Sequence, residues 1–240
     1  MRTIAVLAAA ALQIVAGYIG GTGAWGEAVG DVANSYPTLL LPGGGAFTIW
    51  SLIYLTFAAL AIRQALPSQR ERQAHVRTGW WLAVAGVLNA SWVVLFSQRW
   101  VLAAQVVIIA LLAVLVVAAL RLPRAEGWGD RLLLHMPITL YTGWVAVATV
   151  AGAATTSASY GAAPSTLSAV LAVAFTGAAA AAATLRLRAA AGFAAAVCWA
   201  LVWIAVSTPA NEVRLAAMLA VTAVAVALAA VTRLRHSALG

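Results

Sequence analysis

Pro42-Gly43-Gly44-Gly45-Ala46-Phe47-Thr48-Ile49-Trp50-Ser51-Leu52-Ile53-Tyr54 opens an apolar run that continues to about Ile62. Phe47, Trp50 and Tyr54 stand at i, i+3 and i+7, so a helix places them on one face. Two later runs carry comparable stripes. One is Leu88-Asn89-Ala90-Ser91-Trp92 with Phe96, and the other is Pro137 with Tyr141, Trp144 and Thr149. The organisation of the chain follows from bringing these three stripes together.

Composition sets the solvent. Of 240 residues, 64% are hydrophobic and 8% charged, against about 25% charged in a soluble domain. So few charges cannot cover a water-facing surface, and the chain reads as an integral membrane protein. A bilayer core about 30 Å thick needs about 20 apolar residues per helix. Eight runs qualify: Thr3–Gly20, Gly45–Gln64, Thr78–Phe96, Val101–Arg121, Arg131–Gly152, Thr166–Leu185, Ala189–Val206 and Val213–Thr232. The first could pass for a signal peptide, but its length and its Gln13 and Tyr18 favour a retained span.

The net charge of +8 comes from arginine alone, since the chain has no lysine. With the N-terminus inside, twelve of the 14 arginines fall on the cytoplasmic side and only Arg99 and Arg214 outside. That bias is the positive-inside pattern. It explains the charge without nucleic acid, which is not an expected partner. The expectation is an all-α protein of about eight transmembrane helices, both termini cytoplasmic, in a bacterial inner (plasma) membrane, with lipid as a partner.

Several chemistries lack their residues. No Asp, Glu or Lys lies inside a span, where proton-coupled carriers usually keep one. Cys198 is the single cysteine, and His75, His135 and His236 are scattered near cytoplasmic ends with no ligand spacing. No metal site, nucleophile–base pair or acid pair is visible, so an enzyme is not expected and no cofactor is required.

Depth locates the stripes. At 1.5 Å per residue, Trp50 lies about 8 Å from the outer end of the second span and Tyr54 near its middle. Asn89 and Trp92 fall in the outer half of the third span, Tyr141 near mid-depth of the fifth and Trp144 above it. Gln13 and Tyr18 of the first span share that half. Aromatic walls with few polar groups suit a flat hydrophobic small molecule. The long outer segment Gly21–Gly44 overlies this region, with a short interfacial helix expected near Trp25–Asn34. Trp25, Trp80, Trp81, Trp100 and Trp128 read as interface-belt residues. Trp199 and Trp203 fit core packing or a second wall equally. Pro137 predicts a kink or a late helix start, Leu66–Arg77 an inner loop, and Ala154–Ser165 an uncharged outer loop.

These stripes carry a family resemblance. Pro42, Phe47-Thr48-Ile49-Trp50 and Leu52-Ile53-Tyr54, then Leu88-Asn89 with Trp92, Leu95 and Phe96, then Pro137, Tyr141, Trp144 and Ala148-Thr149 resemble the TspO/translocator-protein family, the tryptophan-rich sensory proteins. The resemblance covers roughly residues 1–153. It implies a five-helix bundle there, with residues 154–240 as additional Ala/Val-rich transmembrane helices. It also implies a receptor or sensor whose pocket takes porphyrin- or haem-type ligands, walled by Phe47, Trp50, Tyr54, Asn89, Trp92, Tyr141 and Trp144. Transport of small amphipathic solutes is the alternative role, and a homodimer is left open. The sequence departs from the family at Thr48-Ile49, where a second proline is usual, and at Val150-Ala151-Gly152, where an Asn usually follows Ala-Thr.

Overall fold

The computed structural model describes residues 1–237, with side chains to Leu234. The sequence expectations for Arg235 and His236 therefore lie outside the described side chains. The described chain is helical throughout, with eight helices long and apolar enough to cross a membrane. It is an integral membrane protein.

In order, the elements are α1 (Arg2–Thr22), the short α2 (Val29–Asn34), a 3-10 turn (Gly44–Thr48) leading into α3 (Ile49–Ala65), α4 (Gln73–Ser97), α5 (Val101–Leu120), the single turn α6 (Trp128–Asp130), a π-helical turn (Arg131–His135), α7 (Met136–Ser159), α8 (Thr166–Arg186), α9 (Ala190–Ser207) and α10 (Asn211–Ser237). Three boundaries differ from the sequence expectation. Phe47 sits in the 3-10 turn rather than in the helix it introduces. The third span begins at Gln73, which shortens the inner loop before it. Pro137 stands in the first turn of α7, the late helix start expected of it. The π turn just before it accommodates a residue without an N–H, and regular α-helix starts at Met136. The fifth span also runs on to Ser159, so Thr155 and Thr156 are helical. Their hydroxyls donate to the carbonyls of Ala151 and Gly152, at 3.1 and 2.8 Å.

The first five spans pack as a bundle in which α1 lies on α3 and α4, α5 bridges α4 and α7, and α3 contacts α7. Of the last three, α9 docks on α7, and α8 and α10 pack on each other and on α9. Lipid supplies no hydrophobic drive between helices, so close approach of small residues must hold such contacts. Gly143 and Gly192 show this at the α7–α9 crossing. A methyl at Gly143 would collide with the Phe193 carbonyl, and one at Gly192 with Thr139 and the Met136 carbonyl. The buried core runs without a break from the first five spans into α9.

Arginines bind the ends. At the end of the bundle that the arginine count assigns to the cytoplasm, Asp130, 3% exposed, takes Arg63 at 2.6 Å and Arg72 at 2.7 Å, tying α3 and the start of α4 to α6. At the opposite end Arg214 donates to the Ala205 and Thr208 carbonyls at 3.1 and 3.0 Å, closing the end of α9. A cation there also suits the negative end of the helix dipole.

Candidate functional site

The aromatic stripes meet. Trp50 stands at the centre, stacked on Tyr54 (5.5 Å between ring centroids, 25° between planes) and on Trp92 (5.9 Å, 28°). Trp92 stacks in turn on Phe96 at 5.3 Å and 18°. Two rings meet Trp50 edge-on, Tyr141 and Trp144, each at 6.0 Å. Phe47 closes on Trp144 at 6.1 Å. Helices α3, α4 and α7, with the 3-10 turn that carries Phe47, thus bring all seven candidate residues together.

They form two layers. Phe47, Trp50, Trp92 and Trp144 line a cavity of about 50 Å³. Tyr54, Asn89 and Tyr141 do not line it and lie deeper. Asn89 Nδ2 donates to the Tyr54 hydroxyl at 3.2 Å, and the Tyr141 hydroxyl donates to Gln13 Oε1 at 3.3 Å. Gln13 of α1 is therefore part of the cluster, fully buried, whereas Tyr18 is 71% exposed and faces outward. Depth alone grouped the two, but the helix turns them to different faces. Three buried polar atoms here have no protein partner: Trp144 Nε1, Asn89 Oδ1 and Gln13 Nε2.

The cavity has a lid. Val29 and Ala33 of α2, with Leu41, line its outer side. The expected interfacial helix exists but begins at Val29, after an irregular Trp25–Ala28. Arg99 fastens it. Its Nε and Nη2 grip both Glu27 oxygens at 2.5 and 2.7 Å, and further bonds reach Ser35 and Tyr36 at 3.1 and 3.2 Å. Arg99 ends α4 in the left-handed region at φ 61°, a conformation few non-glycine residues hold. Its hydrogen bonds keep the Glu27 carboxyl below its ordinary value of 4.5.

Helix α9 braces the opposite rim. Trp199 Nε1 donates to the Ala46 carbonyl at 3.0 Å. Trp203 packs against the glycine run: a side chain at Gly45 would enter its ring, and one at Gly43 would collide with the Ser207 hydroxyl and press on that ring. The glycines at the start of the 3-10 turn therefore answer to a tryptophan about 160 residues later in the chain. Both readings of this pair were open from sequence; the pair sits behind the rim, and Ala200 between them reaches the cavity.

Sequence reasoning missed the lid apolars, Gln105 and the Thr155–Thr156 pair. Gln105 had a signal, being the one polar side chain in α5. It donates to the Thr149 carbonyl at 3.1 Å from the cavity wall. Of the belt tryptophans, Trp25, Trp80, Trp100 and Trp128 are exposed as expected, and Trp81 lies beneath the Arg121 guanidinium at 4.8 Å. Among the described residues no group of His, Cys, Asp or Glu could hold a metal ion.

The family model for TSPO-like proteins matches residues 3–233. The chain belongs to the TSPO-like family. The match takes in the last three spans as well as the first five, so α8–α10 fall within the family pattern. No significant match was found among curated proteins or among solved structures. Family membership carries a membrane sensing, binding or transport role in general terms.

Proposed function

We propose that this TSPO-like protein is a membrane receptor that takes a flat hydrophobic ligand, tetrapyrrole-like in shape, at the outer aromatic cluster. The carrying observation is the continuous stack Phe96–Trp92–Trp50–Tyr54 beside two edge-on rings. Such faces gain most from a planar guest, and the unpartnered indole N–H of Trp144 offers it a donor.

The closed cavity of about 50 Å³ is far below the roughly 300–1,000 Å³ of small-molecule sites. A tetrapyrrole therefore enters only if the lid lifts and Trp50 and Trp144 part. Receptor action follows: occupancy and lid position are one event. The site is completed within one chain, so a homodimer is not needed to form it. The distribution of arginines supports a bacterial inner membrane as the location.

A through-passage for solutes is less well supported. Phe57 and Leu60 on α3, Leu134 of the π turn and Ile138 on α7 are fully buried between the aromatic cluster and the cytoplasmic ion network. These four large apolar side chains stand across the route. Nor does the cluster bring together a nucleophile and a base, which supports a non-catalytic role.

Quenching of tryptophan fluorescence by protoporphyrin, titrated on wild type and on Trp50→Phe with Trp144→Phe, tests the reading. Saturable quenching weakened at least tenfold in the double variant is expected. Non-saturable quenching, equal in both proteins, would remove the ligand and leave the cluster as packing.

A further inference from the structure

A second and larger space lies elsewhere. A cleft of about 580 Å³ separates α5 from α8 and is backed by α7 and α9. Leu112 and Val116 come from α5, Phe175 and Ala183 from α8, Ala146 from α7 and Val197 from α9. These positions lie in the second halves of the inward-running α5 and α8 and the first half of the outward-running α9. The cleft is therefore in the cytoplasmic half of the membrane, opposite to the aromatic site. Val147 lines both spaces.

Its chemistry is one-sided. Two hydroxyls reach it, and both are already engaged by their own helices: Thr142 donates to the Ile138 carbonyl and Thr176 to the Ala172 carbonyl, each at 2.7 Å. Nothing along its depth asks for a polar partner. Arg186, exposed in the last turn of α8, is the one charged residue lining the cleft. It makes no ion pair among the described residues.

We propose that this cleft is a binding site for one anionic phospholipid of the cytoplasmic leaflet. The acyl chain fills the apolar trough and the headgroup phosphate meets Arg186. A volume of 580 Å³ is within the range of specific small-molecule sites and exceeds what ordinary contact between a helix surface and bulk lipid requires. The long apolar interior with a single cation at the water-facing end matches an amphiphile with an anionic head. A neutral lipid would leave Arg186 unused, and a second copy of this chain would have to bring an acid to that rim.

Native mass spectrometry of the delipidated full chain in detergent, titrated with phosphatidylglycerol and with phosphatidylcholine of identical chains, tests this. The expected result is one retained phosphatidylglycerol, bound about fivefold more tightly than phosphatidylcholine, the preference one arginine near a lipid surface gives. Arg186→Gln should erase that preference, while Arg77→Gln, at the same membrane face on α4, should leave it. Ala183→Phe and, independently, Ala146→Leu should displace both lipids from protein that still elutes as a single sharp species. Equal affinity for the two lipids in wild type would overturn the headgroup contact. Equal damage from Arg77→Gln would reduce the effect to diffuse surface charge. Retention of phosphatidylglycerol in both filled variants would place the lipid elsewhere. A lipid-free dimer that Ala183→Phe splits would assign the cleft to a second copy and end the proposal.

Discussion

Arg99 and Glu27 meet through two parallel contacts, Nε to Oε1 at 2.5 Å and Nη2 to Oε2 at 2.7 Å, joining the end of α4 to the segment before α2. The two residues are fixed by different elements, Arg99 by the end of α4 and Glu27 by the segment before α2. A bidentate pair of this kind sets geometry as well as attraction. This clasp joins lid and bundle beside two contacts to backbone carbonyls, the Glu27 N–H to the Ser97 carbonyl at 3.0 Å and Gln98 Nε2 to the Trp25 carbonyl at 2.5 Å. Arg99→Gly isolates it, because glycine holds φ 61° without strain and keeps the turn that ends α4. Porphyrin association in stopped-flow quenching should accelerate several-fold in Arg99→Gly and in Glu27→Gln, with little change in melting temperature. Unchanged rates would mean that the lid does not limit entry.

The same clasp predicts a pH dependence. Its hydrogen bonds from Arg99 lower the Glu27 carboxyl below 4.5 in the folded chain. A depressed acid stabilises the closed state fully above 4.5 and loses that contribution as pH falls through the lowered value. Association should therefore speed up as pH falls below about 4.5, and the acceleration should be absent in Glu27→Gln. Salt should act in the same direction at neutral pH, since both side chains are solvent-exposed and screened. An acid acceleration that persists in Glu27→Gln would assign the effect to another group.

How much of this was legible beforehand depends on what each residue answers to. The spans were, because apolar length and arginine placement answer to the bilayer, which acts on every residue alike. The meeting of Trp50, Trp92 and Trp144 was, because helical spacing and depth place them. Arg99 was not. It was counted as one of two outer arginines, and its role depends on the fold of Trp25–Tyr36, an irregular segment without periodicity. Tyr18 was grouped with Gln13 by depth, although the helix rotates it to lipid. Gly43 and Gly45 read as loop punctuation, and only the docking of α9 shows that they make room for Trp203.

That docking can be measured. Gly45→Ala drives a methyl into the Trp203 ring, and overpacking of this kind costs about 1–3 kcal/mol. Trp203→Ala should lower stability by itself. The double variant should be less unstable than the sum of the two, since the collision is gone. Thermal unfolding in detergent of the four proteins gives the cycle. Additive losses would mean that α9 does not hold the glycine run.

On the cytoplasmic side, Asp130 is the hub of two arginines from different helices. Asp130→Asn leaves Arg63 without its carboxylate in a largely buried setting and leaves Arg72 only the exposed Glu126. Removal of one partner from such a cluster costs about 2–4 kcal/mol, allowing for the partial exposure of Arg72. Thermal unfolding should show that loss, while porphyrin quenching at a temperature where the variant is folded should be unchanged, because the buried layer from Phe57 to Ile138 separates hub from cavity. Lost quenching in folded Asp130→Asn would instead show that the two ends of the bundle are coupled.

The small size of the closed cavity supplies the sharpest separation of packing from binding. Ala151 lines it and is buried on α7. Ala151→Val adds two methyl groups toward a space of about 50 Å³, enough to take them without strain. Filling a void contributes roughly 0.8 kcal/mol per buried methylene-sized group, so the melting temperature should hold or rise. A planar guest that needs this space as the lid lifts should bind at least tenfold more weakly. A cluster that serves packing alone predicts the stability gain with no change in quenching. Weaker quenching together with a lower melting temperature would show that the valine distorts α7, and Ala148→Val, one turn nearer Trp144 on the same wall, then decides between distortion and occupancy.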